Sequence, residues 1–232
     1  MITLLLLPGM DGTGQLFAPL IAALPAEFRV KVVSYPANKA LGYAELEALV
    51  RAEVPDHGPY AILGESFSGP IAVSLAAATS QRLLGLILCC TFVRNPHPVL
   101  SGLRSLVGLM PVSFAPIVLM RHMLLGRFST KVLCTALVNS LAQVSPLALH
   151  ARIRAALEVD VADKMSMVQV PVLYLRAAHD RVVPKGASDL VLRCNPRVQC
   201  VELDAPHFLL QTVPAEAAKV IAHFIHTLHK TR

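Results

Sequence analysis

The stretch Tyr60-Ala61-Ile62-Leu63-Gly64-Glu65-Ser66-Phe67-Ser68-Gly69-Pro70 has residue types and spacing that could do chemistry. An apolar strand runs into a turn of small residues centred on one serine, then into a helix. Such a turn displays its central side chain, and it needs small neighbours two residues to either side because larger ones strike the adjoining backbone. Gly64 and Ser68 meet that need, with serine standing where the G-x-S-x-G pattern has its last glycine. Glycine and serine turns also join ordinary strands and helices, so the rest of the chain must decide. A serine hydroxyl is a weak nucleophile that needs a base to take its proton and a third group to hold that base in the right tautomer. Downstream, Val172-Leu173-Tyr174-Leu175-Arg176 reads as a strand leading into His179-Asp180-Arg181-Val182-Val183-Pro184, and another leads into Asp204-Ala205-Pro206-His207-Phe208. The tips of parallel strands gather on one edge, so Ser66, Asp180 and His207 are expected to converge as nucleophile, acid and base.

The loop Leu7-Pro8-Gly9-Met10-Asp11-Gly12-Thr13-Gly14 follows the opening strand, and its glycines let backbone approach a substrate oxygen. The amides of Met10 and Phe67 are assigned to an oxyanion hole. The loop lacks the Lys-Ser/Thr ending of a phosphate loop and the spacing of G-x-G-x-x-G. Ser68 is a rival nucleophile, but Pro70 beside it suits a first helical turn better. Asp204 is a rival acid, yet three residues before His207 it belongs to the loop itself. His179 and Glu65 read as mouth-lining or solvated. His223, His226 and His229 spread over about 120° of helix circumference and read as a solvated face. No metal and no cofactor is expected.

The elements that must position these residues form a βαβα rhythm. Strands are expected over 2–7, 29–34, 60–63, 84–90, 172–176 and 198–203, and helices over 15–24, 43–53, 67–79, 186–192 and 215–228. The near-continuous apolar runs suit strands buried on both faces. The rhythm breaks between about 92 and 163, where helix-like pieces are punctuated by Pro96, Pro98, Pro111, Pro116, Gly126 and Pro146. The expected organisation is an α/β core of residues 1–92 and 164–232, with 93–163 as a helical cap over the carboxyl edge of the sheet. Met110, Met120, Met123 and Met165 are expected mostly in the core, with some lining a pocket beneath the cap.

Composition narrows the function. Hydrophobic residues make up 54% of the 232, but the opening Met1-Ile2-Thr3-Leu4-Leu5-Leu6-Leu7-Pro8 lacks a basic start and a cleavage site and is too short to span a bilayer. Cys89, Cys90, Cys134, Cys194 and Cys200 show no C-x-x-C pair, so neither a disulfide framework nor a zinc site is expected, and a cytoplasmic setting fits. No Asp or Glu lies between Ser66 and Leu157, against eight Arg and Lys. That block could meet an anionic carrier, such as an acyl carrier protein or a coenzyme A ester, or an acidic lipid surface; a solvated basic face is the plainer reading. Aromatic residues are only 5%, with no stacking platform for nucleic acid.

Taken together, P-G-M-D-G-T-G, G-E-S-F-S-G, H-D-R-V-V-P and A-P-H-F, in this order, resemble the α/β-hydrolase superfamily over nearly the whole chain. The resemblance implies a mostly parallel sheet of about six strands flanked by helices, starting at what corresponds to the family's third strand. With the first two absent, the strand at 29–34 would be an open edge inviting a homodimer, and Ser68 in place of glycine could shift the elbow. The implied function is a cofactor-independent serine hydrolase acting on a small-molecule carboxylic ester or thioester through an acyl-enzyme. An acyltransferase using the same serine and a non-enzymatic ligand-binding protein are the alternatives.

Overall fold

The computed structural model describes residues 1–78, 81–103 and 117–230; Arg104, Met110, Pro111 and Pro116 lie outside them. Six strands, β1 (Ile2–Leu7), β2 (Phe28–Val32), β3 (Tyr60–Glu65), β4 (Leu83–Cys89), β5 (Val172–His179) and β6 (Gln199–Pro206), pair in parallel in the order β2-β1-β3-β4-β5-β6. Alternate residues of each strand point to opposite faces, and both faces of β1 are apolar. Leu5 and Leu7 enter one core with Leu46, Val50, Ile71 and Val191. Leu4 and Leu6 enter the other with Leu20, Ile221 and Ile225.

Helices supply those partners. α2 (Tyr43–Glu53), α3 (Gly69–Ala77), α7 (Ala162–Met167) and α8 (Lys185–Cys194) bury residues in the first core, while α1 (Ala18–Ala23), α9 (Leu209–Thr212) and α10 (Pro214–Lys230) do so in the second. β1 and β3 are neighbours at the centre, and the crossover that leaves β1 runs to β2 on one side while the one that leaves β3 runs to β4 on the other. In open parallel sheets the crevice at such a reversal, beyond the carboxyl ends of the strands, is where ligands bind. The loops that follow β1 and β3 carry Met10 and Ser66.

Between β4 and β5 the chain runs through α4 (Ile117–Leu124), α5 (Lys131–Ala142), α6 (Pro146–Glu158) and then α7. The side chains of Thr130 and Ser145 accept the amides of Leu133 and Ala148, capping α5 and α6, and Pro146 opens α6 where its missing N–H is harmless. Among the described residues, no single helix is long and apolar enough to cross a membrane.

Several boundaries differ from the sequence expectation, and four of them have a tertiary reason. β2 stops at Val32 and not at 34, because the Tyr35 amide bonds the Gly12 carbonyl at 2.7 Å and turns the chain toward the first loop. β5 and β6 run several residues further than expected, because they keep pairing with each other through Ala177 with Leu203 and His179 with Pro206. The helix expected over 67–79 opens with a tight turn at Ser66–Ser68 and becomes α-helical from Gly69.

The elbow depends on close backbone approach. A Cβ at Gly64 would sit 2.8 Å from the Cβ of Ala72 and 2.9 Å from the Ser68 carbonyl oxygen, and one at Gly69 would sit 1.9 Å from Thr91 Oγ1. Overpacking of this kind forces shifts that cost about 1–3 kcal/mol. Gly69→Ala is therefore expected to lower unfolding free energy by about that amount in urea titration.

Candidate active site

Ser66 closes β3 at φ 48°, a left-handed conformation that a side-chain-bearing residue adopts at a cost. Its surroundings hold it there. Thr91 Oγ1 donates to the Ser66 carbonyl, Tyr43 OH donates to the Phe67 carbonyl at 2.9 Å, and Ser68 Oγ donates to the Pro8 carbonyl. Ser68 has one proton and spends it on Pro8, so Tyr35 OH, 2.6 Å away, must donate to Ser68. Ser68 is fully buried, and its hydroxyl joins the elbow to the first loop. The serine that departs from the sequence pattern is thus a structural tie.

The three residues expected from the sequence meet. Ser66 Oγ lies 2.9 Å from His207 Nε2, and His207 Nδ1 lies 2.9 Å and 3.0 Å from the two oxygens of Asp180. Asp180 Oδ1 also accepts the amides of Val182 and Val183, both at 2.8 Å, which orients the carboxylate toward the ring. The side chains of His207 and Asp180 are 4% and 8% exposed. An ionised carboxylate beside Nδ1 fixes the proton on that nitrogen and leaves Nε2 to accept from Ser66. Asp204 is not part of this chain of bonds: its side chain is 70% exposed and pairs with Arg127 and His179. The exposed His179 is accounted for by the same pair.

Ser66 and His207 lie at one wall of a cavity of about 380 Å³. Apolar side chains dominate it, with Met120 and Leu124 from α4, Leu137 and Leu141 from α5, and Ile153 from α6. Met165 packs in the core beneath α3 and does not reach the cavity. Met10 and Phe67, the expected oxyanion residues, also line it.

Arg152 is a residue whose role the sequence reading missed. It was counted with the basic block, but its side chain is buried, 2% exposed. Its Nη1 donates to the carbonyls of Met10 and Asp11 at 3.0 Å and 2.8 Å, and Nη2 to that of Pro36 at 3.1 Å. Gly12 passes close above it at φ 69°, where a Cβ would lie 2.6 Å from Nη1. α5 adds a second tie, with Ser140 Oγ donating to Asp11 Oδ2 at 2.7 Å. The inserted helices are therefore bonded to the loop that carries Met10. Arg94 and Arg127 pair with Asp160 and Asp204, which leaves Arg121, Lys131 and Arg154 as exposed cations of the inserted helices among the described residues.

Glu65 is not solvated as one of its sequence readings had it. It is buried beside Ser66, accepts Gln211 Nε2 at 2.9 Å and lines the cavity. Burial pushes its carboxyl up to about 7, and Asp11 adds to the rise against the opposing pull of Gln211, His207 and the Gly9 N–H. A carboxyl whose folded value is raised binds its proton more tightly in the folded state. Its contribution to stability is complete below the unfolded value near 4.5 and is lost as pH rises toward about 7. Relative to wild type, Glu65→Gln is expected to gain about 2–3 kcal/mol of unfolding free energy between pH ~4.5 and ~8, read by urea titration across that range.

Comparison with known proteins agrees with this architecture. The serine aminopeptidase, S33 family model matches residues 43–230. The enol-lactonase of Burkholderia xenovorans superposes with a TM-score of 0.84 at 18% identity, over 97% of this chain and 91% of that one. A structure from a study of carboxylesterases of Nitrososphaera gargenis superposes with a TM-score of 0.83 at 16% identity, over 100% and 92%. A stretch of 114 residues is 35% identical to phytyl ester synthase 1, chloroplastic, of Arabidopsis thaliana, covering 45% of this chain and only 16% of that protein. With the family model spanning most of the chain and the six-stranded parallel sheet in place, this protein belongs to the serine aminopeptidase S33 family of α/β-hydrolases.

Proposed function

We propose that this protein is a serine hydrolase that cleaves a carboxylic ester or thioester with a largely apolar acyl group. The observation that carries this is the hydrogen-bonded sequence Ser66, His207, Asp180 at the wall of an apolar cavity. Ser66 Oγ attacks the acyl carbon while His207 Nε2 takes its proton. Asp180 holds Nδ1–H and stabilises the imidazolium. The amides of Met10 and Phe67 receive the oxyanion, and both residues have their carbonyls anchored, by Arg152 and Tyr43. The intermediate collapses as Nε2–H protonates the departing alcohol or thiol; water activated by the same nitrogen then releases the acid. Cleaving an amino-terminal peptide bond would call for an open carboxylate to hold the substrate ammonium. The acids lining the cavity are Glu65, bonded to Gln211, and Asp11, bonded to Thr13 and Ser140, so ester chemistry is favoured.

A second reading keeps the nucleophile and passes the acyl group to an alcohol. The partial match to a protein named a phytyl ester synthase and the apolar lining of the cavity favour it. Product analysis with and without long-chain alcohols separates the two, because release of free acid alone, whatever acceptor is supplied, eliminates transfer.

Ser66→Ala is expected to lower kcat on an acyl ester by roughly 10⁴ to 10⁶ while the fold is retained; near wild-type turnover would falsify the assignment of Ser66. Leu141 lines the cavity from α5 and is only partly buried. Leu141→Trp is expected to lower kcat/KM for long acyl esters by about tenfold or more while sparing acetyl esters, read from a chain-length series. The same series on coenzyme A thioesters at low and high salt tests whether Arg121, Lys131 and Arg154 attract an anionic carrier, since exposed charges are screened by salt.

A further inference from the structure

Cys90 directly follows β4 at φ 47°, again in the left-handed region and again in a residue with a Cβ. It is buried, and its sulfur takes no part in the bonds that join Ser66, His207 and Asp180. That sulfur, a ring nitrogen of His207 and a carboxylate oxygen of Asp180 nonetheless lie within 4.8 Å of one another. Among the described residues it is one such group of metal-ligating atoms, although 90 and 27 residues separate its members in sequence. Cys90 and Asp180 also line a second cavity, of about 80 Å³, together with Ser188 and Lys185. It has room for water.

Thiolate sulfur, imidazole nitrogen and carboxylate oxygen are the donors that borderline cations such as zinc prefer, whereas magnesium takes an all-oxygen shell. We propose that Cys90, Asp180 and His207 form an inhibitory site for a zinc-class divalent cation, with water from the small cavity as fourth ligand.

The geometry is close to what such an ion needs. Tetrahedral zinc with bonds of about 2.0–2.3 Å sets its ligand atoms about 3.3–3.6 Å apart. His207 Nδ1 and Asp180 Oδ2 start at 2.9 Å, and the sulfur starts no further than 4.8 Å from a ring nitrogen of His207 and from a carboxylate oxygen of Asp180, so side-chain rotation can supply the change. Asp180 Oδ1 keeps its two backbone amides, leaving Oδ2 for the ion.

Inhibition follows from proton placement. Binding releases the Cys90 thiol proton to solvent and evicts the proton from His207 Nδ1. The neutral ring then carries its proton on Nε2, the nitrogen 2.9 Å from Ser66, which can no longer accept from the serine. The nucleophile stays in place without a base.

The test uses the full chain as wild type, Cys90→Ala and Cys90→Gly; glycine suits the left-handed backbone should alanine fold poorly. Zinc chloride is titrated against ester hydrolysis, with magnesium chloride as control and EDTA for reversal. Zinc is expected to inhibit wild type reversibly and magnesium not to. Removing the sulfur should raise the zinc needed by about tenfold or more without altering activity in EDTA. In parallel, cadmium is titrated while the ultraviolet cadmium–thiolate charge-transfer band is followed, and the band is expected to be weaker in both variants. This inhibition rests on the proposed hydrolase reading, but the band does not. A wild type without esterase activity that still shows the difference band overturns the hydrolase reading alone. Equal zinc sensitivity in all three proteins, or identical cadmium spectra, overturns the metal site.

Discussion

The left-handed backbone at Ser66 is the constraint on which the site depends. Holding a non-glycine residue there costs on the order of 1–3 kcal/mol and persists only where neighbours over-determine it. Here they do so from three directions. Thr91 at the end of β4 bonds the Ser66 carbonyl, Tyr43 at the start of α2 bonds that of Phe67, and Ser68 reaches back to Pro8 beyond β1. Each bond crosses between elements that meet only when the sheet is assembled. The strained turn and the parallel sheet therefore stand or fall together, and the gain is a hydroxyl that projects beyond the strand tips toward His207.

The opposite side of the site is organised by a buried cation. Arg152 belongs to α6, far along the chain from the loop after β1, yet its guanidinium satisfies the carbonyls of Met10, Asp11 and Pro36. Buried carbonyls without donors would each cost about 1–3 kcal/mol, so the loop and the inserted helices are coupled energetically as well as packed. The planar, multiply donating head of arginine suits this; a lysine in the same place could not fork to three acceptors in fixed directions. The helices that enclose the apolar cavity also set the position of the backbone beside Ser66.

Charge inside the site is kept sparse and partnered. Asp180 has two backbone amides and the imidazole, and Asp11 has Thr13 and Ser140. Glu65, beside Ser66, is driven toward its neutral form by burial. A neutral carboxyl there avoids placing a second buried negative charge near Asp11.

The apolar runs made the strands legible, most plainly β1, β3 and β4, which are buried along their whole length, while the edge strands β2 and β6 are partly exposed and mix polar with apolar residues; the small-residue turn around Ser66 marked the elbow by steric need alone. Asp180 and His207 were legible too, since each follows a strand whose tip a parallel sheet must bring to one edge. The sequence by itself therefore determined the architecture and the three residues that meet. Only the tertiary structure decided the rest, and the reason is distance along the chain. Ser68 as a tie and not a flaw, Arg152 as an internal clamp and not a surface charge, and Cys90 beside Asp180 and His207 all depend on contacts between residues tens of positions or more apart. Local pattern carries no record of such contacts.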